Sequence, residues 1–387
     1  MSGSAFAFHL STRIVWHTPA AEAVVSELSA MGISRALLVT DPGLAATPIP
    51  ASIASALEAA GVAVAVCTEV HPNPTTDDVA AARLAAETQD AQAVVAVGGG
   101  SAIDVGKATA MLLANGGQYS HYQWDGKPIE VPSIAFVAVP TTSGTGSEVS
   151  KVAVISDPSQ PFKKGVRSPL MAAHAAVLDP ELTVGLPPLL TAATGIDAFV
   201  HAFEAYVGRN ANPISDLFAI EAMRLVLGAV ERATADGTDL DARHDMMLAA
   251  VYGGIAMDQA GLGLVHAIAG GLGGHVHLHH GMAVAMLLPH VAAFNLPDVD
   301  EHRLRRLDSL FAVSTAQTGD RLVESIDSLL NRLALPTFIG AAGAESRGVD
   351  WNAAVEDSMR MVMIHNNPRT ADADDCRTII DLVRSDR

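Results

Sequence analysis

Four short apolar runs, separated by alanine-rich stretches, constrain the fold of this chain more than any other feature. They are RALLVTD (35–41), VAVAVCTEV (62–70), AVVAVGGG (93–100) and SIAFVAVPTT (133–142). A strand that stays apolar through successive residues, which point to opposite faces, must be covered on both sides. The intervening stretches IPASIASALEAAG, PTTDDVAAARLAAETQD and SAIDVGKATAMLLANGG carry helix starts and glycine stops. Strands alternating with helices predict a parallel sheet with helices on both faces, whose ligands bind at the carboxyl ends of the strands.

Beyond about residue 185 the pattern changes. PPLLTAATGIDAFVHAFEAYV, NPISDLFAIEAMRLVLGAVERAT, ARHDMMLAAVYGGIAMDQA and DRLVESIDSLLNRLAL repeat apolar residues at helical spacing without strand-like runs. At 387 residues two domains are expected. The reading is an α/β domain over 1–184 followed by an all-helical domain over 185–387.

The glycine-rich VAVGGGSAIDVGK is neither of the two familiar phosphate loops. Five residues separate Gly100 from Gly106, one more than a P-loop allows, and Ala108 stands where its hydroxyl should be. Ile103 occupies the third glycine position of the dinucleotide fingerprint. What remains is a buried strand, three glycines and a helix start, which can bring backbone N–H groups to an anion, or simply allow tight strand–helix packing. A second loop, VPTTSGTGSEVS, crowds hydroxyls from Thr141, Thr142, Ser143, Thr145 and Ser147 around two glycines. It reads as a grip on a ribose or pyrophosphate, or as a Ser/Thr-rich turn. Asp41 ends the first of the four strands; it suits an adenosine ribose and would repel a 2′-phosphate, favouring NAD over NADP, and it equally suits a turn before Pro42.

Five histidines, His266, His275, His277, His279 and His280, crowd the segment GLVHAIAGGLGGHVHLHHGMAV. In TGIDAFVHAFEAY, Asp197 and His201 fall four apart on one helix face. The pair suits a shared cation or a local hydrogen bond. His266 and His280 offer further imidazoles for the cation reading.

The pieces GGGSAIDVGK, PTTSGTGSEVS, LDPELT, ATGIDAFVHAFEAY, GLGLVHAIAG, HHGMAVAMLLPHV and NNPR run in one order over nearly the whole chain. Together they resemble the iron-dependent (group III) alcohol dehydrogenase family. The resemblance implies an N-terminal nucleotide-binding α/β domain and a helical metal domain, an architecture shared with dehydroquinate synthases. It implies metal ligands at Asp197, His201, His266 and His280, carrying Fe²⁺, though Zn²⁺ suits the same donors. It implies NAD(H) contacts at Asp41, Gly98, Gly99, Gly100, Ser101, Thr141, Thr142, Thr145 and Lys164. Relatives often carry a second histidine four residues after the third ligand; here that position is Gly270. Its proton-carrying role passes in this reading to His275 and His277, or to water. His365, in MIHNNPR, is either a pocket residue or a surface histidine.

The implied activity is a metal-dependent NAD(H) alcohol dehydrogenase or aldehyde reductase, with the metal polarising the substrate oxygen during hydride transfer. The extra histidines suggest a small polar or anionic aldehyde with a phosphonate, sulfonate or carboxylate group; a neutral short diol is the alternative. A dehydroquinate synthase-like enzyme would use a different ligand set, and the DAFVH spacing speaks against it. A noncatalytic metal- or nucleotide-binding protein would leave the joint presence of both loops and four ligand positions unexplained. With 42 Asp+Glu against 24 Lys+Arg, the formal charge of −18 argues against nucleic acid as a partner. Two cysteines are too few for a disulfide framework. No signal peptide or membrane span is evident. A cytoplasmic homodimer or higher homo-oligomer is expected.

Overall fold

The computed structural model describes residues 6–160, 164–311, 320–344 and 348–384. They divide into two compact units: residues 10–185, and residues 186–384 together with 6–9.

In the first unit, eight strands are β1 (Arg13–Trp16), β2 (Arg35–Val39), β3 (Ala63–Cys67), β4 (Ala93–Gly98), β5 (Ala135–Pro140), β6 (Val152–Ala153), β7 (Val166–Arg167) and β8 (Ala175–Leu178). The helices are α1 (Ala20–Ala30), α2 (Pro42–Ala45), α3 (Pro48–Ala59), α4 (Thr76–Thr88), α5 (Gly100–Asn115) and α6 (Tyr119–Gln123). Six strands form one parallel sheet in the order β1-β8-β5-β4-β2-β3, and β6-β7 make a small antiparallel ribbon. The four expected strands are β2 to β5. Strands β1 and β8 are additions, each only four residues long.

Two-sided burial explains the apolar runs of β2, β4 and β5, whereas β3 is an edge strand with Val66 half exposed. Ala36 and Leu38 of β2 face one core with Val24 and Leu28 of α1 and Ile53 and Leu57 of α3. Leu37 and Val39 face the other, with Val79 of α4 and Ile103 and Met111 of α5. Chain order reverses at β2, which has β3 on one side and β4 on the other. Such a reversal opens a crevice beyond the strand ends, and the loops after β2 and β4 carry Asp41 and Gly98–Gly100.

Gly106 and Lys107, which look like half a P-loop in the sequence, have structural work. A Cβ on Gly106 would meet the Ala96 Cβ at 2.7 Å, so the glycine lets α5 lie directly on β4. The Lys107 side chain is fully buried. Its Nζ donates to the carbonyl oxygens of Ser147, Ser150 and Val152 at 2.8, 2.9 and 2.6 Å, with both serine hydroxyls at 3.2 Å. Asp104, 4.0 Å from that ammonium, accepts from the Ser147 hydroxyl and from Val154 N. One buried charge therefore pins the segment 147–152 to α5.

The second unit, among the described residues, is helical: α7 (Pro188–Val207), α8 (Pro213–Ala235), α9 (Leu240–Ala260), α10 (Leu264–Leu272), α11 (His280–Asn295), α12 (Glu301–Leu310), α13 (Asp320–Arg332), α14 (Trp351–Arg360) and α15 (Ala373–Arg384). Residues 6–9 join it: Phe8 stacks on Phe218, and Gln259 Nε2 donates to the His9 carbonyl at 3.0 Å. The centre of the unit is α7, buried on every side from Thr191 to Val207. No single helix among the described residues is long and apolar enough to cross a membrane.

Replacing Lys107 with Met strands several buried acceptors around an apolar tip. We expect the unfolding free energy of the sheet unit to fall by about 3–5 kcal/mol in urea titrations. A change below about 0.5 kcal/mol would show that the ammonium does not hold the loop.

Candidate metal centre and nucleotide loops

An all-round buried helix is a costly place for a carboxylate unless positive charge surrounds it. Asp197 lies in the middle of α7 with its side chain 3 % exposed. Three imidazoles converge on its Oδ1: His201 Nε2 at 3.5 Å, His266 Nε2 at 3.4 Å and His280 Nε2 at 3.8 Å. Asp197, His201 and His266 offer ligand atoms all within 4.8 Å of one another. Asp197 Oδ1 and His266 Nε2 are buried without a hydrogen-bond partner. Ligands about 2.1 Å from a tetrahedral metal stand about 3.4 Å apart, which is the spacing seen here. Three imidazoles and one carboxylate suit a divalent transition metal. The residues present fit a metal ion, and the unpartnered pair supplies the test.

The electrostatics agree. Burial alone would raise the Asp197 carboxyl, but the charge on His201 and the neighbouring His266 and His280 hold it well below the usual carboxylate range. Burial would likewise lower His266, yet the neighbouring carboxylates of Asp197 and Glu204 push it up to about 9. The pocket asks for a cation.

Local sequence explains the convergence. His201 lies one turn beyond Asp197 on α7. A Cβ on Gly281 would come within 2.5 Å of the Ala193 carbonyl oxygen, so only glycine lets the start of α11 sit on α7 and bring in His280. The break between α9 and α10 is held by the NNPR asparagines. Asn366 Nδ2 donates to the carbonyls of Ala260 and Leu262 at 2.9 Å. Asn367 Oδ1 accepts from Leu264 N at 3.1 Å and so caps the helix that bears His266. Exposure separates the ligand positions. The His201 and His266 side chains are 5 % and 4 % exposed, whereas His280 is 46 % exposed, so the cluster opens on the His280 side.

Sequence reading did not single out Glu204. Its Oε2 lies 2.7 Å from His266 Nδ1, and its Oε1 accepts from Val265 N at 2.6 Å. This is the carboxylate–histidine arrangement that orients a ligand imidazole. The available signal was a glutamate two helical turns beyond Asp197 in an otherwise apolar helix.

Of the remaining histidines, His279 adjoins His280 and lies close enough to feel the Asp197 charge. His275 pairs through Nε2 with Asp357 Oδ2 at 2.9 Å, and Asp357 also binds Arg360. His277 and His365 are exposed.

In the sheet unit the nucleotide-loop residues meet one another. Asp41 caps α2, its Oδ1 accepting from Leu44 N at 3.0 Å, which is the turn-forming role open to it. Its Oδ2 faces Gly98, 3.6 Å from where a Cβ would stand. A Cβ on Gly99 would meet Thr142 at 3.3 Å, and one on Gly100 would meet Thr145 at 2.8 Å. The glycines therefore seat the second loop against the first. No side chain caps the start of α5, whose leading residues include Gly100 and Ser101. Thr141 is buried at the end of β5, its amide donating to the Gly98 carbonyl at 3.0 Å. Lys164 Nζ lies 5.4 Å from the Trp124 ring centre.

Comparisons agree with this geometry. A family model described as "Iron-containing alcohol dehydrogenase" matches residues 11–180, and one described as "Fe-containing alcohol dehydrogenase family, C-terminal" matches residues 191–383. The chain is 35 % identical over 365 residues to an NAD-dependent methanol dehydrogenase of Bacillus methanolicus, covering 93 % of this chain and 95 % of that one. It is 33 % identical over 384 residues to a sulfoacetaldehyde reductase of Bilophila wadsworthia, covering 97 % and 98 %. Among solved structures, a 1,3-propanediol oxidoreductase superposes with a TM-score of 0.92 at 31 % identity, covering 98 % of this chain and 99 % of that one.

Glu204→Gln keeps the shape of the carboxylate but not its charge. We expect metal affinity to fall 10- to 100-fold, read by competition with a chromophoric chelator. Unchanged affinity would show that Glu204 does not tune His266.

Proposed function

The chain belongs to the iron-containing alcohol dehydrogenase family, oxidoreductases that use NAD and iron, and on that premise we propose that it interconverts a short-chain alcohol and its aldehyde. The observation that carries the reading is the buried Asp197 Oδ1, unbonded and surrounded by three imidazole nitrogens 3.4–3.8 Å away. We assign Asp197, His201, His266 and His280 as the residues that hold the iron. When bound, that ion supplies Lewis acidity toward the oxygen of the reacting alcohol or carbonyl. Glu204 accepts a hydrogen bond from His266 Nδ1–H, which leaves the Nε2 lone pair facing the cluster.

For the cofactor we assign Asp41, Gly98, Gly99, Gly100, Ser101, Thr141, Thr142 and Thr145. The leading amides of α5 suit a pyrophosphate, and the inward Oδ2 of Asp41 suits a ribose and disfavours a 2′-phosphate. Lys164 belongs to the assignment by resemblance alone. His275 and His277 are assigned as proton carriers, on the segment that leads into His280; Asp357 holds the His275 ring in place.

A neutral alcohol or diol is the first reading of the substrate, because His275, one of the imidazoles suggested for anion recognition, is already paired with a buried carboxylate. A second reading, an anionic aldehyde, is favoured by the exposed His277 and by the 33 % identity to a sulfoacetaldehyde reductase. A cytoplasmic homo-oligomer completes the proposal.

Anaerobic, Fe²⁺-reconstituted protein should oxidise NADH with short aldehydes and stop when a chelator strips the metal. A panel of propanal, 3-hydroxypropanal and sulfoacetaldehyde ranks the two substrate readings. Turnover of none, with metal and NADH both bound, would sink the proposal. NADH should be preferred to NADPH by at least about tenfold, and Asp41→Ser should narrow that ratio, since a charge contact of about 1.4 kcal/mol is a factor of ten.

A further inference from the structure

Around the metal cluster one helix position is accessible where its neighbours are not. In α10 every residue from Leu264 to Leu272 is buried except Gly270. Gly270 follows His266 by four residues and therefore shares its helix face. A side chain there would lean back over the turn that carries His266. Another residue fills that space. A Cβ on Gly270 would stand 2.5 Å from Met361 Cε and 3.3 Å from its Sδ.

The chain drives Met361 into this place. α14 presses on α10 at Gly271, where a Cβ would collide with Ser358. Met361 follows directly as the residue that ends α14, 7 % exposed, while the next residue, Val362, is 81 % exposed. The turn thus sends one apolar side chain inward and one outward. His280 is the exposed member of the cluster, and its ring lies 5.4 Å from that of His266. His280 and Gly270 are thus the exposed or part-exposed positions next to His266, one beside its ring and one a turn along its helix face.

We propose that the thioether of Met361 is the wall that limits the length of the alcohol or aldehyde this enzyme accepts. The proposal rests on the alcohol dehydrogenase reading above. A substrate whose oxygen lies at the metal extends its carbon chain into the accessible space, and the Met361 methyl is the apolar surface that this chain meets at Gly270. Methionine is unbranched and adaptable, so the limit is soft. A polar side chain at 270 would present a donor at this point; the thioether presents only a weak acceptor.

The test compares kcat/KM for linear primary alcohols from two to six carbons in iron-loaded wild type, Met361→Ala and Met361→Leu. In Met361→Ala, each methylene beyond three carbons should gain about fourfold over wild type, the value of one buried CH₂. Met361→Leu, which restores the volume, should return the short-chain preference. A second readout is independent of turnover. In zinc-loaded protein with [methyl-¹³C]Met and NAD⁺, the Met361 signal, identified by its loss in Met361→Leu, should shift on titration with 1-propanol. Should Met361→Ala fail to fold, Met361→Val takes its place in the series. A folded small-residue variant with the wild-type chain-length profile, or a Met361 methyl that does not respond to 1-propanol, overturns the proposal. A wild type that turns over no alcohol sinks the functional reading itself, so the two failures are distinct.

Discussion

A single carboxylate oxygen organises the helical unit. Asp197 Oδ1 lies in a helix buried on all sides, where an uncompensated charge is not tolerated. Three imidazoles from three helices surround it, and each has its own reason for being there. His201 comes with helix periodicity, His280 through the close approach that Gly281 allows, and His266 through a helix start capped by Asn367 and oriented by Glu204. The glycine, asparagine and glutamate that do not touch Asp197 are thus as much a part of the cluster as the imidazoles that surround it.

Much of this was legible in the sequence. Three of the four unbroken apolar runs became the inner strands β2, β4 and β5, because two-sided burial writes itself into composition, and the fourth became the edge strand β3. Strand β1 escaped because it is four residues long at the sheet edge, with Ile14 and Trp16 partly exposed. Strand β8 is equally short, and its AAVL reads as readily as helix. The Asp197–His201 pair follows from helix geometry alone, whereas His266 and His280 needed the resemblance, since their approach depends on how separate helices pack. Glu204 lay inside a segment already singled out, but nothing local says that its partner is His266. Lys107 and Met361 were invisible for the same reason. Their partners lie far along the chain, 40 residues or more for Lys107, and no short-range pattern encodes such contacts.

The sheet unit solves a different problem with the opposite charge. The loops assigned to the nucleotide follow different strands, yet Gly99 and Gly100 leave Thr142 and Thr145 the space that a Cβ would take. The segment that continues the second loop is anchored by the Lys107 ammonium. An exposed lysine on the same helix could not do this, because water would compete for every bond it makes.

That anchor also governs how the unit comes apart. An ammonium with no access to water cannot be released one acceptor at a time, because a half-freed charge in an apolar interior costs more than either end state. Detaching the 147–152 segment therefore means lifting it from α5 as a whole and letting water reach the nitrogen. Fraying, the gradual loosening by which most surface loops lose order, is closed to it. This segment should belong to the slow-exchanging part of its unit, opening in one cooperative step, unlike the low-stability lids from which ligand-binding loops are commonly built.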